Sequence, residues 1–197
     1  MKYRILTQEF YSRDTAIVAK ELLGKIFCRK IGDKILAGKI VETEAYYGFK
    51  DPASKAFVGK KTKVNEHMWG PAGRVFVYTI HNLWMFNITT GTEDSPSGVL
   101  IRAIEPWREI EEMFCNRKKK NKKVDKVIEL CSGPGKLSQC FLIDRKVQCT
   151  DVTRVSDVFV LDNQEVFKIE SSHRIGVSRD LRKKLRFYIK GNKFVSK

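Results

Sequence analysis

Between residues 38 and 46 apolar and polar side chains alternate, which predicts a half-buried β-strand with Ile40, Glu42, Glu44 and Tyr46 on one face and Val41, Thr43 and Ala45 on the other. A preceding strand at residues 25–30, joined through a turn at Gly32 and Asp33, makes this the second arm of a hairpin. Upstream, Ala16, Val18, Ala19, Leu22 and Leu23 form a helical stripe that Ser12 or Asp14 can cap and Gly24 can stop. Residues 76–80 and 83–89 are strongly β-prone, and the short link His81-Asn82 predicts a tight hairpin that presents its tip. Strands at 99–103, 158–161 and 185–189, a helix at 107–115 and another starting after Gly133-Pro134-Gly135 account for most of the remainder. Residues 48–73 break into Gly, Pro, Lys and Asn, a long loop of the kind that carries function, and its His67, Met68 and Trp69 argue for packing. No repeat or linker interrupts the pattern. It predicts one α+β domain over residues 1–197, a curved, largely antiparallel or mixed sheet surrounded by helices, with a protruding β-hairpin.

Composition narrows the class. A chain of 197 residues with 42% hydrophobic content can bury a core without disulfides or metal. Its 38 Lys and Arg against 23 acidic residues leave a net charge of +15, which points to a polyanionic partner: nucleic acid first, an anionic membrane surface second. No apolar run approaches the about 18 residues of a membrane span, and no signal-like segment follows Met1 and Lys2. The expectation is an intracellular protein, in cytoplasm, nucleoid or nucleus. Cys28, Cys115, Cys131, Cys140 and Cys149 are scattered and lack CxxC spacing, so they read as reduced, mostly structural thiols. The basic run at 117–123 reads as a solvated loop before a phosphate contact.

Three chemistries suit carboxylates set among basic and aromatic residues. A metal-dependent nuclease would use Glu42, Glu44 and Asp51 as oxygen ligands for magnesium, a weak signature. A glycosylase needs only one carboxylate to deprotonate water and aromatic faces to hold a base turned out of the duplex, and Glu44, Tyr46 and Tyr78 meet that need. A protein that binds damaged DNA without turnover would use the same surfaces. The bland alternative pairs Glu44 with a lysine and leaves the tyrosines as ordinary strand residues.

VETEAY at 41–46, DPAS at 51–54, GPAGRVFVY at 70–78, FNI at 86–88, VLIRAIEP at 99–106, GPGKL at 133–137, RIGV at 174–177 and LRFYIKG at 185–191 occur in this order. Together they resemble the 3-methyladenine (alkyladenine) DNA glycosylase family over nearly the whole chain. The resemblance implies a single α+β domain, no metal or other cofactor, and excision of 3-methyladenine, hypoxanthine or ethenoadenine from double-stranded DNA; size and the asymmetric task of reading one lesion add the expectation of a monomer. It implies that Glu44 activates water beside Arg102, that Tyr46 and Tyr78 sandwich the base, and that Asn87 disfavours guanine. Thr62 and Lys136 become DNA-contacting positions. Glu42 is left as a structural residue.

Two positions depart from the family pattern. Lys55 stands where the family has histidine, and a charged lysine donates but cannot accept a hydrogen bond. Pointing into the pocket, it would favour a base with an exposed acceptor and disfavour a cationic one; swung outward, it would reach solvent or a phosphate. At the hairpin tip, one residue shorter than the family pattern, His81 replaces an intercalating tyrosine. This predicts a weaker wedge assisted by Leu83 or Trp84.

Overall fold

The structure is a computed structural model that describes residues 3–92, 94–120 and 123–196. Among these residues nine strands form one sheet: β1 (Arg4–Ile5), β2 (Ile26–Ile31), β3 (Lys34–Tyr46), β4 (Val75–Ile80), β5 (Leu83–Thr90), β6 (Ser97–Arg108), β7 (Val158–Asp162), β8 (Ile169–Ser172) and β9 (Arg186–Ile189). The helices are α1 (Gln8–Tyr11), α2 (Thr15–Glu21), α3 (Ile110–Lys118) and α4 (Pro134–Cys140). The α+β expectation therefore holds. The sheet is antiparallel at every described pairing rather than mixed.

Its path runs β1-β7-β2-β3-β6-β5-β4, with β8 and β9 added beside β3. The thirteen-residue β3 is the spine. Its first half pairs with β2, Glu42–Glu44 pair with β9, and β6 lines its other edge from Ala37 to Tyr46. Asp14 caps α2 by accepting from the amides of Ala16 and Ile17, and Gly24 takes the left-handed conformation (φ 86°) that ends the helical segment. One large core lies between the sheet and the helices, centred on Phe27, whose ring meets Phe86 and Phe141 edge to face with centroids 5.0 Å from each.

β3 and β6 do not keep a simple alternation. Ile40 faces Ile104 and Glu42 faces Ala103, so Val41 is an extra residue on β3; Thr43 then faces Ile101, so Arg102 is extra on β6. These adjacent bulges cancel in register but reverse which side chains face the core. Ile40 and Val41 both join the core, and only beyond them do Thr43 and Ala45 point inward while Glu42, Glu44 and Tyr46 point outward. Ile40 thus leaves the face on which strict alternation puts it.

Further along, β6 continues through Pro106 to Arg108, and α3 begins at Ile110 rather than at 107. Pro106 lies opposite Gly38 next to a register shift in the β3–β6 ladder, and β5 pairs only with the Ser97–Leu100 end of β6, so it sits at an irregular, one-sided stretch where a missing N–H is tolerated. In the basic run, Arg117 and Lys118 belong to α3 and Arg117 is buried, so the solvated-loop reading fails there. Asn121 and Lys122 lie outside the described residues. All five cysteines are free thiols, with Cys28, Cys131 and Cys140 buried and Cys115 and Cys149 exposed.

Candidate active site

Glu44 is completely buried, and three donors converge on its carboxylate. Tyr46 Oη donates to Oε2 at 2.7 Å, the Ile175 amide donates to Oε1 at 2.8 Å, and Arg102 Nη1 stands 3.3 Å from Oε2. A carboxylate has about four acceptor directions, and three are engaged here. Buried charge persists only when paired and hydrogen-bonded, and this constellation meets that condition.

Behind it, Glu42 is equally buried and serves as a hub. Its Oε1 accepts from Arg102 Nε at 2.8 Å, Arg186 Nε at 2.7 Å and Ser196 Oγ at 2.8 Å, and its Oε2 accepts from the Ser196 amide at 2.7 Å. Glu42 therefore aims Arg102, and Arg102 reaches forward to Glu44. Burial alone would lower the affinity of the Arg102 guanidinium for its proton, but Glu44 and Glu42 outweigh it and raise its pKa. It remains a cation.

Tyr46 and Tyr78 are partly exposed on the walls of one cleft of about 520 Å³, with Ser54, Lys55, Leu100, Arg102 and Ile175 among its lining. Burial, then the charge of Glu44, raises both phenol pKa values, that of Tyr78 to about 12. Arg174 stacks over the Tyr46 ring at 4.5 Å. Lys55 Nζ lies 4.9 Å from the Tyr78 centroid, so the lysine projects across the tyrosine face. Asn87 shares a deeper recess with Tyr46 and Tyr78, its amide nitrogen donating to the carbonyls of Phe76 and Met85 at 3.2 Å each.

The long loop is an ordered wall. Ala56 and Met68 pack with Phe76 and Tyr78, and buried Asn65 ties the loop together by donating to the carbonyls of Lys55 and Lys60 and accepting from the Thr62 amide. Thr62 is exposed outside the cleft, as is Lys136 in the first turn of α4. His81 and Asn82 form the exposed tip of the β4–β5 hairpin; both have positive φ (48° and 61°), the turn that suits strand twist. Leu83 is not at the free tip. It packs on α4, where a side chain added at Gly135 would meet it at 2.6 Å, and Ser138 Oγ donates to the Trp84 carbonyl at 2.6 Å.

Asp51 does not join Glu42 and Glu44. It is held by Arg174 through two hydrogen bonds of 2.6 and 2.8 Å and by the amides of Tyr47 and Ala53. Among the described residues no group of three His, Cys, Asp or Glu side chains could hold a metal ion. The ligand set of a magnesium nuclease is therefore not assembled.

Residues 9–193 match the family model for methylpurine-DNA glycosylase. The chain belongs to the methylpurine-DNA glycosylase family. Relatives named "Putative 3-methyladenine DNA glycosylase" are 40% identical in Clostridium botulinum (98% of this chain, 99% of the relative), 42% in Clostridium perfringens (98% of each) and 40% in Carboxydothermus hydrogenoformans (98% and 99%). This methylpurine-DNA glycosylase is thus a DNA-repair enzyme, a hydrolase acting on N-glycosyl bonds. Among its described residues no helix is long and apolar enough to cross a membrane.

Several residues of the glycosylase site escape inspection of its sequence. Arg174 contacts Asp51, Asp180, the Ala45 carbonyl and the Tyr46 ring at once, and Ile175 contributes only a backbone amide. The RIGV block flags the segment without saying what it does. Arg186 and Ser196 complete the Glu42 hub; the LRFYIKG block flags the first without saying what it does, and Ser196 carries no local signal.

Proposed function

We propose that this glycosylase acts as a monomer on duplex DNA, turns an alkylated or deaminated purine such as 3-methyladenine, hypoxanthine or ethenoadenine into the cleft between Tyr46 and Tyr78, and hydrolyses its N-glycosyl bond without metal. The supporting observation is the carboxylate of Glu44: fully buried and held by three donors, Tyr46, Arg102 and Ile175, that all line the cleft. In this reading a water bound there attacks C1′ of the flipped nucleotide as the bond to the base nitrogen breaks. The bonding electrons leave with the base, and Glu44 accepts the proton of the water. Arg102 keeps Glu44 oriented, while the carboxylate's negative charge offsets the positive charge growing on the sugar.

The basic surface supplies phosphate attraction, with Lys136 exposed at the start of α4 and Thr62 in the neighbouring loop. His81 at the hairpin tip enters the space the base vacates, backed by Leu83 on α4. The test is single-turnover incubation with duplexes carrying one hypoxanthine or one ethenoadenine, chelator present, followed by alkali. Alkali-dependent cleavage at the lesion, lost in Glu44→Gln with lesion binding retained, supports the reading. Tight binding with no base release identifies a non-catalytic binder, and strand breaks that need a metal identify a nuclease.

A further inference from the structure

The cleft carries an imbalance of charge that its catalytic carboxylate does not cancel. Among its described lining residues there are two full cations, Lys55 and Arg102, and no acid, since Glu44 lies completely buried behind the surface. Arg102 is committed to Glu42 and Glu44. Arg174, behind Tyr46, is committed to Asp51 and Asp180. Lys55 has no carboxylate within ion-pair distance among the described residues; its one charge contact is the face of Tyr78 at 4.9 Å.

Lys55 is exposed, but its backbone is held in place. Its carbonyl accepts from Asn65 Nδ2 at 2.6 Å, its neighbours Ser54 and Ala56 are buried, and the Ser54 side chain accepts from the Ala56 amide. The backbone is pinned, so the stem of the side chain starts from a fixed point on the wall and the ammonium falls within reach of anything stacked on Tyr78. A planar base that stacks on Tyr78 takes that face from the ammonium, whose fixed stem keeps the base's edge within reach. There the ammonium offers three donors and no acceptor.

We infer that Lys55 is a charge filter, a specificity-determining residue that ranks neutral purines with an exposed carbonyl or ring-nitrogen acceptor above purines carrying a positive charge on the ring. This rests on the glycosylase reading above. A 6-oxopurine gains a charge-assisted hydrogen bond from the ammonium. A purine alkylated at N3 or N7 while still attached to the sugar is a cation, and meets a second cation about 5 Å away as water is displaced. Undamaged guanine also offers a carbonyl, but its stable pairing keeps it in the stack.

The experiment compares single-turnover excision of hypoxanthine and of 7-methylguanine from otherwise identical duplexes, by the wild-type protein and by Lys55→Gln and Lys55→Met. The expected result is a hypoxanthine to 7-methylguanine rate ratio that falls about tenfold or more in both variants, with 7-methylguanine release becoming faster in absolute terms. Faster release cannot come from a variant that has merely lost its fold. An unchanged ratio, or equal slowing of both substrates, overturns the inference while leaving the glycosylase reading intact. Retention of full excision by Glu44→Gln would instead sink the proposed mechanism, with the Lys55 ratio still readable. Release of neither base by the wild type would sink both.

Discussion

The hydroxyl of Tyr46 donates a 2.7 Å hydrogen bond to Oε2 of Glu44, two residues earlier on the same strand face. One wall of the cleft is thereby mechanically joined to its carboxylate. A hydrogen bond to a charged group contributes about 1.5–3 kcal/mol, so Tyr46→Phe, which keeps the ring, should slow single-turnover excision by about 10- to 100-fold. Because burial and the charge of Glu44 raise the pKa of Tyr46, the donor stays protonated in mild alkali. The wild-type to Tyr46→Phe rate ratio should therefore stay flat from pH 7 to 10. A ratio that collapses near pH 9 would show that the phenol titrates without the upward shift, and a ratio near one at every pH would deny it this role.

Glu42 binds two arginines and the Ser196 segment without exposure to solvent. Glu42→Ala strands those cations, and breaking a buried ion pair from one side costs about 3–5 kcal/mol. In a chain of this size that corresponds to a fall of roughly 6 to 20 °C in thermal midpoint. Glu42→Gln should lose less stability, yet slow excision because Arg102 is no longer aimed. Calorimetry beside the excision assay separates the two effects.

The Asp180 carboxyl would be raised by its partial burial, but hydrogen bonds and charge from Arg174, with the amides of Arg174 and Leu181, hold it below its ordinary value. A depressed acid stabilises the fold fully above its unfolded pKa, about 3.9, and loses that contribution as pH falls through its folded value. Asp180→Asn should therefore cost about 2 kcal/mol at pH 7, with the gap to wild type closing only as pH drops below about 4. Thermal melts from pH 7 down to 2.5 would reveal this; a gap that persists at the lowest pH would refute it.

Gly135 lets Leu83 rest on α4, since a Cβ there would meet Leu83 Cδ1 at 2.6 Å. Gly135→Ala should displace the base of the hairpin, at a cost of about 1–3 kcal/mol of stability. If the hairpin acts as the wedge, base flipping should weaken more than binding to undamaged duplex. Fluorescence of a 2-aminopurine beside the lesion reports on the flip, and equal loss of both signals would deny the hairpin that task.

Lys136, exposed at the start of α4, should act only through phosphate. Lys136→Ala is expected to lower affinity for damaged and undamaged duplexes alike and to make the log-log salt slope shallower by about 1. A loss confined to damaged DNA would place the lysine at the lesion instead.

Much of this molecule can be read from local pattern. The Asp14-capped α2, the β2–β3 turn at Gly32 and the His81-Asn82 hairpin each depend on short-range rules, and the structure keeps all three. Glu44, Tyr46, Tyr78, Arg102 and Asn87 converge as a group because the blocks that contain them lie on adjacent strands. What stayed hidden depends on partners more than a hundred residues apart. Arg174 meets Asp51 and Ile175 meets Glu44 only through the fold. The continuation of β6 through Pro106 was equally hidden, since a proline stops a strand only where a neighbour needs its missing N–H.

The back-to-back bulges at Val41 and Arg102 give β3 an unusual tolerance profile. Without Val41, β3 would alternate plainly, Ile40 inward and Glu42 outward, and Glu44 and Tyr46 would keep their side of the sheet. The surplus Arg102 on β6 would then have nothing to offset it, and the stretch that carries Glu44 would slip by one place against its partner. The two strands thus carry matched errors, each of which is harmless only while the other remains.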